Sequence, residues 1–522
     1  MNINVKSKSD LRYIDRKKTL AIVSLLFMIT IISSPLISLY SSVSPFALGA
    51  DPIEVGTESE LADAINNAPD GESTVIIFTK NIVLEKTLEI PAGKNITLIS
   101  KKSNSFYELY GVDGASTINV TKGAELVLAG VTVTHNAGAE GSGIVVDGLL
   151  TMTGGSIFNN NATDGSGVRN RGDFKLSGGS IYNNTAKQYG GGVYNDGNFT
   201  VTGGEISGNN ARWGGGVYNN GKSFLMNGGD IYKNKASEGG GVYLKTFTSV
   251  IAGIIHDNTA ERGGGVYISD NELKMTGGKI YKNVVSVDGG GVYNEGNFSM
   301  SGIAEIFNNT ATDGYGGGVY TIGIYTVADG IIGNNTAING GGVYVSASGN
   351  FTVNYAVIGN NTATGNGGGI GVPSLSILES VQVGSYTVFS NNKASSAYNR
   401  SSDHNDIYNR NINGNVKWTS PFTQGYNNYD IYYIWGNKTD IPTPSPSPSP
   451  TATAKPTSTV SPTKTASPTP TIKPDDGDGW FDWRIIVIIV LVIALVIAVL
   501  VFYLPKKNAK PAEEDLSDFT IV

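Results

Sequence analysis

Two carboxylates, Glu205 and Asp230, occupy matching settings: each follows a Gly-Gly pair and precedes an isoleucine. Matched settings imply one register in successive copies of a repeated unit. If those units stack as strands, the two side chains point outward with Cβ atoms about 5 Å apart. Paired carboxylates can hold Ca²⁺, which prefers oxygen ligands. Two solvated acids are the plainer alternative, since the same column carries Ser180 before them and Ile254 after. Arg212 falls in the same copy as Glu205. Glu238, Arg262 and Asp288 make a further column of alternating charge. It reads as ion pairs between neighbouring copies, each worth well under ~1 kcal/mol when exposed. Neither set is an acid/base constellation, and no residue is assigned a catalytic role.

A third arrangement is aromatic. Tyr194, Tyr218, Tyr243, Tyr267, Tyr293, Tyr320 and Tyr344 recur after G-G-G-V or its equivalent. If the preceding valine faces a core, these rings face out. Tyrosine is favoured at interfaces and stacks on sugar rings, so Tyr194, Tyr218, Tyr243, Tyr267 and Tyr293 are candidate ligand-binding residues. A purely structural ladder, covered by neighbouring turns, is the competing reading. The run Gly216 to Ser223 matches the phosphate-binding pattern G-x-x-x-x-G-K-S. That pattern needs a strand before it and a helix after it, and here it falls inside the repeat. The glycine triplets lack the Asp and the short period of Ca²⁺-binding nonapeptides. With no cysteine and only three histidines, His135, His256 and His404, a zinc site is not expected.

What positions these columns is a phrase repeated roughly every 24–27 residues between about residues 141 and 372. It reads I-x-x-N-x-A, a polar spacer, G-G-G-V-Y, a polar turn, then F-x-[MV]-x-G-G. A fixed period in this range signals stacked repeats. Each copy holds three short alternating runs, such as Val193-Tyr194, Phe199-Thr200-Val201 and a run ending at Ile206. Each is too short for a helix and has strand periodicity. Gly and Asn between the runs supply turn conformations. Three strands and three turns close one coil, and coils stacked about 4.8 Å apart make a parallel β-helix. Leucine-rich phrasing, the main rival, is absent. Asn160, Asn184, Asn209, Asn234, Asn258, Asn283, Asn309, Asn335 and Asn361 each lie three residues after an isoleucine. They predict a structural ladder of amides bonded coil to coil at a turn. Phe174, Phe199, Phe224, Phe298 and Phe351 predict a core stack.

The run Asn184-Thr185-Ala186-Lys187-Gln188-Tyr189-Gly190-Gly191-Gly192-Val193-Tyr194 resembles the repeat of chlamydial polymorphic outer membrane proteins. Those pair F-x-x-N with G-G-A-[ILV]; here Ile usually replaces Phe and G-G-G replaces G-G-A. The resemblance covers about half the chain and implies a right-handed parallel β-helix with an adhesin-like surface role. That family ends in an outer-membrane β-barrel, whereas here a single apolar run near the C-terminus is expected in its place. Residues before the repeats are similar to the first coils of pectin-lyase-like β-helices. There Glu58 to Ile65 predicts a short amphipathic helix behind a serine cap, covering the open end of the core. In pectate lyases, paired carboxylates with Ca²⁺ and a nearby Arg or Lys abstract a proton from a uronate. That resemblance makes an extracellular polysaccharide lyase or hydrolase the alternative function.

The ends of the chain set the expected compartment. Lys6, Lys8, Arg12, Arg16, Lys17 and Lys18 precede an apolar run from Leu20 to about Leu39, and Ala47-Leu48-Gly49-Ala50 offers small residues for cleavage. Residues 1–50 therefore read as a signal peptide or signal anchor. Residues 51–140 read as the N-terminal cap and first coils, 141–394 as the repeats, and 395–440 as an aromatic C-terminal cap. Residues 441–479 form a Pro/Ser/Thr-rich stalk that favours extended polyproline II and could reach up to ~100 Å. Ile485 to Tyr503 is long and apolar enough to span a bilayer, so 480–504 is expected as a transmembrane helix and 505–522 as a cytoplasmic tail. Trp480, Phe481 and Trp483 mark one interface, and Lys506, Lys507 and Lys510 mark the cytoplasmic side. N-x-[ST] sequons recur, including Asn95, Asn119, Asn198, Asn350 and Asn437, as possible glycosylation sites. A formal charge of −7 argues against a nucleic-acid partner. The expectation is a single-pass cell-surface β-helix that binds a surface glycan or protein, without cofactor unless Ca²⁺ is held.

Overall fold

In the computed structural model, described residues are 51–102, 105–250, 252–395, 412, 416–419 and 428–433. All described residues fall within residues 1–441, which form one compact unit. The expected signal segment, stalk, transmembrane span and tail lie outside the described residues, as do His404 and Asn437. Among the described residues no helix is long and apolar enough to cross a membrane.

The repeats build a parallel β-solenoid of right-handed type. In one coil the strands are Val193–Asn195, Asn198–Val201 and Glu205–Ser207. Their equivalents stack into a Val-Tyr sheet of 13 strands, a Phe sheet of 14 and an Ile sheet of 13. Every pairing is parallel and in register, as in Val193↔Val217, Phe199↔Phe224 and Ile206↔Ile231. Alternation decides which residues are inside. Val217, Phe224, Met226 and Ile231 are buried to 1 % exposure or less, while the alternating positions Tyr218, Leu225 and Tyr232 point outward. Within the Phe sheet, Phe174, Phe199 and Phe224 stack at 4.7 and 5.2 Å. Thr248 and Leu273 interrupt the stack before Phe298, Tyr325 and Phe351 resume it at 4.6 and 5.0 Å.

The corner after the Ile sheet is held by the asparagines. Asn234 donates Nδ2–H to Asn258 Oδ1 (3.0 Å) and to the Ile206 carbonyl (2.9 Å). Its Oδ1 accepts from the Asn209 amide (3.0 Å) and the Asn209 backbone N–H (3.0 Å). All four capacities of a fully buried amide are thus used. The same pattern runs from Asn160 to Asn361 and on to Asn392. The glycine triplets fit around this column. Gly214 takes φ +65°, a conformation that strains other residues. A Cβ on Gly216 would sit 2.6 Å from the Gly241 carbonyl and 2.9 Å from Asn234 Nδ2.

Three features go beyond the repeat phrase. A second buried amide row, Asn170, Asn195 and Asn219, runs inside the Val-Tyr sheet with Nδ2···Oδ1 distances of 2.6 and 2.7 Å. A narrow fourth ribbon of five strands, from Thr259–Ala260 to Thr362–Ala363, encloses a small apolar cluster of Val285, Ala311 and Ala337. The N-terminal helix, α1 (Glu58–Asn67), buries Leu61, Ala64 and Ile65, and its cap is Thr57 rather than a serine. Thr57 Oγ1 accepts from the Glu60 N–H while Glu60 Oε2 accepts from the Thr57 N–H. Only Thr57 stands three residues before a glutamate that can return the bond, which is why it wins.

At the other end, Ile431–Tyr433 pairs with Ile370–Val372, and Trp418 stacks on Phe389 at 4.9 Å. Asn234→Ala should leave several buried groups unsatisfied and lower unfolding stability by about 1–3 kcal/mol or more. Asn210→Ala, one position on and exposed, should stay within about 0.5 kcal/mol of the parent. Denaturant unfolding of the two variants checks this; equal midpoints would count against the ladder's role.

Candidate functional site

The chemistry-bearing side chains lie on two outer faces, those of the Val-Tyr sheet and the Ile sheet. On the first, the tyrosine column stacks continuously. Successive rings from Tyr194 to Tyr344 lie 4.8–5.6 Å apart and within about 16° of parallel. The expected open row of ligand-binding tyrosines is corrected here. Tyr218, Tyr267 and Tyr293 are only 5–7 % exposed, and Tyr194 and Tyr243 are half-buried. Two causes act together: each ring covers its neighbours' faces, and a ridge before the glycine triplets packs alongside. Tyr189 of that ridge touches Tyr194 and Tyr218, at 6.2 and 4.7 Å between ring centroids, and stacks on Trp213.

Along the ridge, Trp213 Nε1–H donates to Glu238 Oε2 (3.1 Å), and Arg262 reaches Glu238 at 3.6 Å. Asp288 does not complete an ion-pair row. Its Oδ1 accepts from the Tyr315 N–H (2.8 Å), and burial raises its carboxyl above the usual range. Arg212 lies over the Trp213 ring at 4.2 Å. The P-loop-like run Gly216 to Ser223 leads into a strand, Ser223–Met226, so no helix N-terminus follows it.

On the Ile sheet, Glu205 and Asp230 are register partners. Burial pushes the Asp230 carboxyl up; His256 opposes that shift and Glu205 adds to it. Glu205 Oε2 accepts from the Tyr232 hydroxyl at 2.9 Å. Among the described residues no group of three or more His, Cys, Asp or Glu side chains converges on one point.

Beside this pair runs a column that the sequence reading missed. Phe158, Tyr182, Ser207, Tyr232, His256, Tyr281 and Phe307 are partners in successive coils. All are half-exposed. Tyr232, His256, Tyr281 and Phe307 stack at 4.9–5.0 Å, and Phe158 stacks on Tyr182 at 5.1 Å. Charges border the rings: His256 Nδ1 meets Asp257 Oδ2 at 2.7 Å, and Lys233, Lys282 and Lys279 lie 5.6–5.8 Å from the Tyr232, Tyr281 and Phe307 centroids. The signal was present, since an aromatic or histidine follows the inward isoleucine in most copies.

Of the sequons, Asn198 and Asn350 are exposed, while Asn95 and Asn119 are half-buried. Asn119 Nδ2–H donates to Glu89 Oε2 and Asn198 Nδ2–H to Asp173 Oδ1, each at 2.8 Å. No known protein family, curated protein or solved structure matches this chain.

Covering the tyrosines has a titratable consequence. Burial, then Asp196, pushes the Tyr194 phenol up to about 12, and burial pushes Tyr218, Tyr267 and Tyr293 up as well. An unfolded tyrosine ionises near pH ~10. A raised folded value favours the neutral phenol, so this stability is complete below pH ~10 and is lost as pH climbs toward and through the folded values. Melting temperature should therefore drop steeply above pH ~10, with a late-ionising class in the phenolate absorbance. Tyr267→Phe should flatten that drop. Ionisation of every tyrosine near pH ~10 with unchanged melting would contradict the covered column.

Proposed function

We propose that this chain is a membrane-anchored cell-surface protein whose β-solenoid serves as an adhesin-like binding module without catalysis. The observation that carries the reading is the half-exposed aromatic column of the Ile sheet, from Phe158 to Phe307, bordered by Glu205, Asp230, Lys233, Lys279 and Lys282. Rings with polar neighbours, fixed on a rigid sheet, are the composition of a recognition surface. Support for the location comes from the sequence: a basic-then-apolar N-terminal segment, a Pro/Ser/Thr stalk, and the apolar run Ile485 to Tyr503 flanked by aromatics and lysines. The resemblance to polymorphic outer membrane protein repeats points the same way. The partner is a surface glycan or protein, and Asn198 and Asn350 are the sequons most open to modification.

The alternative, a polysaccharide lyase or hydrolase, draws on the register pairing of Glu205 with Asp230, a site that would take Ca²⁺. Arg212 does not support it, being engaged with Trp213. Protease treatment of intact cells carrying the full chain should release the repeats. Those cells should also adhere to glycan- or cell-coated surfaces when cells lacking the chain do not. Repeats that stay protected would refute the topology. Ca²⁺-dependent cleavage of uronate polymers, lost in Glu205→Ala, would replace binding with catalysis.

A further inference from the structure

The aromatic column of the Ile sheet is complete except at one rung. Where every other coil from Phe158 to Phe307 presents an outward ring, the coil of Glu205–Ser207 presents Ser207. The next position is also reduced there. It holds Asn159, Asn183, Lys233, Asp257, Lys282 and Asn308 in other coils, all at φ 52–56°, but Gly208 (φ 64°) in this one. Two outward side chains are thus cut back together; Asn183 Oδ1 stands over Gly208, 2.5 Å from where its Cβ would be, so the notch in the ring column lies over Ser207.

The walls of the notch are aromatic. Tyr182 is stacked on Phe158 on one side, so its other face turns to the notch. Tyr232 is stacked on His256 in the same way, and its free face looks back at Tyr182. Its hydroxyl is held by Glu205 Oε2 at 2.9 Å and lies within reach of the Ser207 hydroxyl, which fixes the ring at the notch edge. Two rungs of a parallel sheet separate these walls by about 10 Å. A guest ring midway would sit about 5 Å from each, which is the spacing the column itself uses, 5.0–5.1 Å.

The rim selects among ring guests with two stackable faces. Along one side stand two acceptors, Glu205 and Asp230; Glu205 is exposed and Asp230 half-exposed. The other side carries Asn183, which stands over Gly208, and Lys233, whose Nζ lies 5.6 Å from the Tyr232 centroid. Acceptors on one edge and an amide and ammonium on the other suit a ring whose substituents both donate and accept. Hydroxyl groups do so. A uronate would meet two carboxylates; a guanidinium would meet those carboxylates favourably but Lys233 unfavourably, so the titration below includes it.

We propose that the notch at Ser207 is a sugar-binding subsite that takes one neutral pyranose ring of a glycan between Tyr182 and Tyr232. This rests on the binding reading above and names the ligand class of that face. Filling the missing rung tests it without damaging the fold. Ser207→Tyr would complete the stack, so it should not lower the melting temperature. The full chain, purified in a detergent without a sugar headgroup, is titrated with cellotetraose, mannotetraose and galactotetraose, and separately with tetragalacturonate and tetra-arginine. The parent should bind at least one neutral tetrasaccharide, and both Ser207→Tyr and Tyr182→Ala should weaken it about tenfold or more. If the parent binds sugars and Ser207→Tyr binds them equally, the notch is refuted and the wider binding reading stands. If tetra-arginine or tetragalacturonate binds instead and is lost in Ser207→Tyr, the neutral-sugar assignment is refuted. If the parent binds no glycan and no cells, the binding reading falls with it.

Discussion

Every coil of this solenoid depends on the buried asparagine ladder. A turn that leaves the Ile sheet must strand backbone donors and acceptors inside a dry corner, and leaving them unpaired would be costly. One amide per coil solves this by bonding both to the next coil and to the carbonyl of an isoleucine in the previous one. Because the bond pattern is identical at each step, it fixes not only that coils stack but in which register. The glycine triplets follow from the same constraint, since a side chain at Gly216 would displace both a neighbouring carbonyl and the Asn234 amide. With no cysteine to staple the chain, such repeated short-range bonding is what makes neighbouring coils cohere.

Fixed register turns the surface into columns. A residue placed outward in one coil lies about 4.8 Å from its equivalent in the next, so aromatic rings must stack and like charges must meet. This is why Tyr232, His256 and Tyr281 pack face to face although they are far apart in sequence. It is also why a single change of residue size has a defined shape. Replacing a ring by Ser207 does not loosen a strand; it removes one slab from a regular stack.

Much of this architecture was legible in the sequence, because a period of fixed length aligns residues without any knowledge of the fold. The three strands, the phenylalanine core column and the asparagine column could all be read from the repeat phrase. What could not be read falls into two kinds. Some signals were present but diluted: the second amide row has Leu244 and Ile268 among its asparagines, and the Ile-sheet column mixes Phe, Tyr, Ser and His. Others were not local. Two-residue strands such as Val284–Val285 carry no periodicity, and nothing in G-G-G-V-Y says that Tyr189 and Trp213 will roof the tyrosines. Exposure is a property of packing between ridges, so outward-facing and accessible proved to be different predicates.

A ladder of amides also has a direction, and a direction demands two different ends. Each amide donates forward and accepts from behind, so the first needs a donor before it and the last an acceptor beyond it. At the head, His135 places Nδ1 2.8 Å from Asn160 Oδ1, with Nε2 2.9 Å from the Ala115 carbonyl. A ring nitrogen facing an amide oxygen is favourable when it carries the hydrogen. At the tail, Asn392 Nδ2–H donates to Asp430 Oδ1 at 3.0 Å, and the Thr419 N–H and hydroxyl donate to the same carboxylate. A carboxylate oxygen accepts, which is what the last donor requires. The buried His135 and Asp430, neither of which belongs to the repeat phrase, are therefore explained by the phrase. They end a chain of bonds that the repeats begin but cannot themselves close.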